Sequence, residues 1–312
     1  MRIFVIGHVS PDLDAIAAAV EYTEFLLELK RYGGSEIIPV RAGEPNIETK
    51  TIFKKFNVEL PKLLDEFTIG PDDFFVLVDH HEQTQRHEKI VDDKILEIID
   101  HHRVNLNFST PIRVDVKPVG STSTVIYDHF YMYNLEASYQ TSALALAGIL
   151  SDTVGLKSST TTGLDREIAQ KISKKINESI EKLTFEIFRA KSDISGLTAR
   201  EIAKKDFKVF DFGTTKVLIN QVETVESKKV LGMKNELVQA LDSVKKEVGA
   251  TLGFIMVTDI LAINSWIIYT NEAEKEVVEK AFITHGIDNV ADIGPKISRK
   301  KDVAPAIEKT LL

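Results

Sequence analysis

Phe74-Phe75-Val76-Leu77-Val78-Asp79-His80-His81 and Ile95-Leu96-Glu97-Ile98-Ile99-Asp100-His101-His102 are the two stretches that decide the fold. Each is a short, mostly apolar run that ends on an aspartate followed by two histidines. A run without polar alternation suits a strand covered on both faces by helices, as in a parallel sheet. The chain opens the same way: Arg2 to Ile6 reads as a strand, followed by Gly7-His8-Val9-Ser10-Pro11-Asp12-Leu13-Asp14. Asp14 to Arg31 reads as a helix ended by Gly33-Gly34, Glu36 to Val40 as a strand, and Ile47 to Phe56 as a helix. Strand–helix alternation of this kind predicts an α/β fold whose N-terminal part is a mainly parallel sheet flanked by helices.

From Ser121 the pattern turns helical, with Ser121 to Tyr133, Ser138 to Leu150, Asp165 to Ile176 and Ile180 to Ala190 as the segments. Serine, threonine or aspartate near several of the starts fits N-capping. The polar stretch Lys191-Ser192-Asp193-Ile194-Ser195-Gly196 reads as a boundary. We expect a first domain over 1–190, a linker over 191–197 and a smaller α/β domain over 198–312. In the latter, Lys208 to Asp211 and Lys216 to Gln221 read as a hairpin around Gly213. Leu231 to Val248 and Glu272 to Phe282 read as helices, and Leu252 to Thr258 and Ala262 to Tyr269 as strands.

Composition narrows the chemistry. The 312 residues carry 39 Lys+Arg against 47 Asp+Glu, a net charge of -8, so no nucleic-acid or membrane partner is expected. The absence of cysteine excludes disulfides, thiolate metal sites and a cysteine nucleophile. No apolar run approaches the roughly 20 residues of a membrane span. The N-terminal apolar stretch is too short for a secretory signal, so a cytoplasmic location is expected.

Five of the eight histidines (His8, His80, His81, His101 and His102) follow predicted strand ends, each beside an aspartate. Parallel strands bring such ends to one edge of the sheet, where open α/β folds bind ligands. Ser151-Asp152-Thr153 closes an apolar helix and adds a carboxylate. For Asp12, Asp14 and Asp152 a capping or turn role is the alternative. Mixed Asp/His ligation without cysteine suits manganese, cobalt, iron or zinc in a paired site, whereas magnesium more often takes carboxylates and water. Two metals close together can trap a hydroxide and clamp a phosphoryl group.

The triplet Asp100-His101-His102 resembles the signature of the DHH phosphoesterase superfamily. Taken with Gly7-His8-x-x-Pro11-Asp12-x-Asp14, Val78-Asp79-His80, Pro118-Val119-Gly120-Ser121-Thr122, Ile149-Leu150-Ser151-Asp152-Thr153, Asp206-Phe207-Lys208 and Ser298-Arg299-Lys300-Lys301, the chain resembles family II, the manganese-dependent inorganic pyrophosphatases. The resemblance implies hydrolysis of pyrophosphate to two phosphates by a metal-bridged hydroxide at a dinuclear site between two domains. It implies one metal on His8, Asp12 and Asp79, and another on Asp14, Asp79, His101 and Asp152. It further implies His102 as general acid, His80 as an outer neighbour, and Lys208, Arg299 and Lys300 as phosphate-binding residues. Two Mn2+ per chain, with Co2+ as substitute, Mg2+ arriving with substrate, and a homodimer complete the expectation. His81 departs from the Asn often found in the family, and Asp302 from the Gln after the basic motif. No segment matches the regulatory nucleotide-binding insert of some relatives.

Other readings stay open at this level. No G-x-x-x-x-G-K-[ST] and no G-x-G-x-x-G after the first strand occurs, which argues against P-loop and dinucleotide chemistry. Another DHH phosphoesterase, acting on short polyphosphate, oligonucleotides or cyclic dinucleotides, is the nearest enzymatic alternative. A non-catalytic metal or phosphate sensor is the alternative of a different class.

Overall fold

Six parallel strands form the first sheet, and their order explains where the site lies. The structure is a computed structural model that describes residues 1–109 and 111–312. It divides into two compact units, Met1–Lys191 and Ser192–Leu312. In the first unit the elements run β1 (Arg2–Ile6), α1 (Leu13–Leu29), β2 (Glu36–Arg41), α2 (Ile47–Lys55), β3 (Lys62–Leu63), β4 (Asp73–Val78), β5 (Ile95–Asp100), β6 (Arg113–Val116), α3 (Thr122–Met132), α4 (Tyr139–Asp152), α5 (Gly163–Ile176) and α6 (Ile180–Lys191).

The sheet order is β3-β2-β1-β4-β5-β6. Chain direction across the sheet reverses between β1 and β4, and such a switch opens a crevice at the carboxyl ends of the strands. Ile3 to Ile6 of β1, Phe75 to Val78 of β4, and Ile98 and Ile99 of β5 are fully buried, as their unbroken apolar character requires. Helix α4 is buried all round from Thr141 to Ser151 and packs on α1, α3, α5 and α6. Ser121, Ser138 and Thr162 cap α3, α4 and α5 with their side chains. Strand β6 lacks a sequence counterpart above, because Arg113-Val-Asp-Val alternates at a sheet edge instead of forming an apolar run.

The second unit contains α7 (Ala199–Lys205), β7 (Phe207–Phe212), β8 (Thr215–Thr224), α8 (Ser227–Gly232), α9 (Lys234–Glu247), β9 (Leu252–Asp259), β10 (Asn264–Ile268), α10 (Glu272–Phe282), β11 (Gly286–Ile287), β12 (Val290–Gly294) and α11 (Ala304–Leu311). Its mixed sheet has the order β11-β12-β10-β9-β8-β7, with β8 and β9 parallel and the other pairs antiparallel. Alternate residues of β8 and β9 enter opposite cores: Ile219 and Phe254 join one, Leu218 and Ile255 the other. The hairpin around Gly213 is present. The single helix expected over Leu231 to Val248 is instead broken between Gly232 and Lys234, with poor helix propensity at Gly232 as the local reason.

Candidate metal centre

The loops after β1, β4 and β5 converge at one edge of the first sheet. Gly7 closes the β1–α1 turn; a Cβ there would lie 2.6 Å from the Ala15 carbonyl oxygen, so only glycine fits. The next residue, His8, donates from Nδ1–H to the Val9 carbonyl at 2.8 Å. That bond fixes the tautomer and leaves Nε2 as the basic nitrogen. His8 Nε2 lies 3.5 Å from Asp79 Oδ2 and 3.7 Å from Asp12 Oδ1. Asp12 Oδ1 also caps α1 by accepting from the Ala15 amide, so the capping role and the cluster coexist.

His101 is held in the same manner. Its Nδ1–H donates to the Val119 carbonyl at 3.1 Å. Its Nε2 is buried, has no hydrogen-bond partner among the described residues, and lies 3.4 Å from Asp79 Oδ1 and 3.8 Å from Asp152 Oδ2. Val119 is itself fixed from below: both oxygens of buried Asp165 accept from the Gly120 amide, and Thr124 and Thr162 donate to the same carboxylate.

Asp79 stands at the centre. Its backbone is left-handed (φ +60°), a conformation that costs a residue with a side chain about 1–2 kcal/mol. The Asp79 amide donates to the Ile99 carbonyl, and Thr122 Oγ1 donates to Asp79 Oδ1 at 2.8 Å. Its two carboxylate oxygens thus face two different histidines. Asp14 is buried at the N-terminus of α3, where Ser121 Oγ, Ser123 Oγ and the Ser123 amide donate to Oδ1 and the Thr122 amide donates to Oδ2.

The donors fall into three overlapping groups: His8–Asp12–Asp79, Asp14–Asp79–His101–Asp152, and Asp79–His101–His102. The His Nε2–carboxylate separations are too long for good hydrogen bonds. They are close to, and slightly wider than, the roughly 3.0–3.4 Å between ligands placed about 2.1 Å from a common metal. With the buried, unpartnered His101 Nε2, this donor set fits a pair of divalent cations.

The electrostatics agree. Burial, then the charge of Asp79, pushes Asp14 up to about 6. Burial, then Asp14 and Asp79, holds Asp152 well above the usual carboxylate range. Burial opposes charge on His8, but Asp12 and Asp79 push it up to about 11; the same balance, with Asp79 dominant, pushes His101 up to about 9. Burial opposes charge on Asp79 too, yet His101 and His8 hold it below its ordinary range. Without cations, protons fill the place of positive charge.

The remaining histidines divide. His81 donates from Nδ1–H to Asp100 Oδ2 at 2.5 Å and accepts from the Asn105 amide at Nε2, so both nitrogens are satisfied away from the cluster. His80 is buried, bonds to the Val78 carbonyl through Nδ1, and is lowered to about 4 by burial. His102 donates from Nδ1–H to Asp100 Oδ1 at 2.8 Å, which raises its pKa, and its ring is half exposed.

Lys208, Arg299 and Lys300 belong to the second unit. Lys208 is exposed on β7 opposite Ile219, and Lys300 is exposed. Arg299 is nearly buried and donates to the Asp206 carbonyl, to Asp206 Oδ1 and to the Ile219 carbonyl. Asp302, the acidic departure, accepts from the Ser298 amide at 2.9 Å. The sequence reading missed the supports Asp165, Ser123 and Glu21, and named Asp100 only within its triplet. Glu21 left a signal, since it lies seven residues from Asp14 on an otherwise apolar helix face.

Comparison with known proteins agrees in both halves. Residues 2–150 match the DHH family, N-terminal domain, and residues 185–310 match the DHHA2 domain. The chain is 36% identical to the manganese-dependent inorganic pyrophosphatase of Methanocaldococcus jannaschii, covering 98% of each chain. It is 34% identical to that of Methanothrix thermoacetophila, covering 98% of this chain and 97% of the relative. A crystal structure of a protein from Methanococcus jannaschii assigned to family II inorganic pyrophosphatase superposes with a TM-score of 0.59 at 35% identity, over 99% of both chains. Matched along essentially its whole length, the chain belongs to the family II, manganese-dependent inorganic pyrophosphatases.

Proposed function

We propose that the chain, as a member of this family, hydrolyses inorganic pyrophosphate to two phosphates at two divalent metal ions bound by the first unit. The observation that carries this reading is Asp79, whose two oxygens face His8 Nε2 and His101 Nε2 in two donor groups that share it. In this reading His8, Asp12 and Asp79 hold one ion, and Asp14, Asp79, His101 and Asp152 the other. When bound, the pair supplies Lewis-acid activation of water and neutralises phosphoryl charge.

The chain's own groups do the rest. The Val9 and Val119 carbonyls hold His8 and His101 as Nε2 donors. Ser121, Thr122 and Ser123 orient Asp14 and Asp79. Asp100 accepts from His102 Nδ1–H and favours its charged form, so His102 suits delivery of a proton to the leaving phosphate oxygen. The family resemblance adds Lys208, Arg299 and Lys300 as phosphate-binding residues; Lys208 and Lys300 are exposed, and Asp206 orients the Arg299 guanidinium. The family resemblance adds manganese as the resident ion at two per chain, magnesium arriving with substrate, a homodimer and a cytoplasmic setting.

The test is phosphate release by metal-stripped protein reloaded with manganese, with pyrophosphate, tripolyphosphate and a dinucleotide in parallel and Asp79→Ala as control. Release from pyrophosphate that is lost in the control supports the reading. Preference for tripolyphosphate or the dinucleotide moves the substrate to another branch of the superfamily. No release from any substrate overturns the catalytic reading.

A further inference from the structure

Beneath Asp14 lies a second buried carboxylate that the proposed mechanism does not use. Glu21 is fully buried on α1, two turns beyond Asp14 and on the same face. Ser123, in the first turn of α3, stands between them. Ser123 Oγ is 2.6 Å from Asp14 Oδ1 and 3.0 Å from Glu21 Oε1. A hydroxyl has one proton to give and lone pairs to receive others. The shorter, charge-assisted contact takes that proton, so Ser123 donates to Asp14. The contact to Glu21 then lacks a proton unless Glu21 supplies it.

Two further observations point the same way. Glu21 Oε2 is buried and has no hydrogen-bond partner among the described residues, which is costly for an ionised group and tolerable for a neutral one. In the cation-free protein burial, then the charge of Asp14, holds Glu21 well above the usual carboxylate range. Helix α4 packs close on the Ser123–Asp14 pair: a Cβ on Gly148 would lie 2.5 Å from Ser123 Oγ and 2.6 Å from Asp14 Oδ1.

We propose that Glu21 is a permanently neutral carboxylic acid that donates through Oε1–H to Ser123, turns the Ser123 hydroxyl onto Asp14 Oδ1, and thereby positions Asp14 as a metal ligand. The inference rests on the reading of Asp14 as a ligand given above. It makes Glu21 a positioning residue. Three donors then converge on Oδ1, and the Thr122 amide holds Oδ2. The chain of donors is polarised in one direction, each bond strengthening the next.

The test compares manganese affinity, measured calorimetrically, in the wild type, Glu21→Gln, Glu21→Leu and Asp79→Ala. Glutamine donates from its amide where the acid donates, so Glu21→Gln is expected to keep the affinity within about twofold. Glu21→Leu fills the space without a donor and is expected to lose about tenfold at one of two sites, the usual scale for a ligand's hydrogen-bonding support. Infrared difference spectra between the manganese-loaded wild type and Glu21→Gln give a readout independent of activity. They are expected to show the carbonyl stretch of one protonated carboxylic acid at neutral pH in the wild type alone. Absence of that band, or a loss in Glu21→Gln equal to that in Glu21→Leu, overturns the inference. The failure of the underlying reading looks different: the wild type would bind fewer than two manganese ions, or Asp79→Ala would bind them unchanged.

Discussion

Asp79-His80-His81 and Asp100-His101-His102 are the same tripeptide at the ends of neighbouring strands, and they do opposite things. In the first, the aspartate enters the metal centre and both histidines turn into the protein. In the second, the middle histidine enters the centre and the aspartate stays behind as a clamp on His81, His102 and two backbone amides. The cause is where each strand stops. Strand β4 ends at Val78, so Asp79 is the first residue beyond it, in the left-handed region. Strand β5 runs one residue further and includes Asp100, so His101 is the first residue beyond it. In both loops the residue just past the strand reaches the site.

The contrast can be broken most forcefully at its centre. Asp79→Asn keeps the shape and removes the charge between the two histidines; manganese-dependent phosphate release is expected to fall about 10³-fold or more, with the circular dichroism spectrum retained. The matching change in the other triplet, Asp100→Asn, is expected to weaken manganese binding by about 10–100-fold, because it loosens support and removes no proposed ligand. It also withdraws the charge that raises the His102 pKa, so the alkaline limb of the pH–rate profile should move to lower pH. Equal losses in the two variants would break the distinction.

Proton linkage sharpens it further. His8 and His101, pushed up to about 11 and about 9 in the cation-free protein, must each release a proton to a binding metal. Apparent manganese affinity should therefore rise as the pH rises through the neutral range, by about tenfold per pH unit for each proton released. Calorimetry in buffers of different ionisation enthalpy counts those protons. A flat profile would remove both histidines from the ligand set.

Smaller effects are expected further from the centre. Gly148→Ala would press a methyl group onto Ser123 and Asp14 and should cost about 1–3 kcal/mol of stability, read from denaturant unfolding. His80→Gln, in the first triplet, should change manganese affinity by less than about threefold, against at least about tenfold for His101→Gln.

Much of this architecture was readable from residue types. The apolar runs of β1, β4 and β5 announced buried parallel strands, and the Asp/His endings announced an edge that binds cations. The division of labour within the triplets was not readable, because it depends on strand length to a single residue and the tripeptides are identical. The edge strands β3, β6 and β11, and β12 next to the edge, were missed because short strands there need no apolar run. Ser123 was missed for another reason: its partner Asp14 lies 109 residues away, and the local spacing of Thr162 and Asp165 marks a helix cap but not the bond that Asp165 accepts from Gly120, 45 residues away. Arg299 differs again: nothing in its basic motif signals that the guanidinium is nearly buried and tied to Asp206.

The proposed ligands come from separate stretches spread between residues 8 and 152, and no such constellation exists in an unfolded chain. Bound ions therefore act as reversible cross-links on the folding equilibrium of the first unit, adding roughly 2.7 kcal/mol when free metal stands at a hundred times its dissociation constant. The second unit supplies none of these proposed ligands. Metal supply thus shifts the opening equilibrium of the first unit, and through the population of its opened state the access of proteases to it.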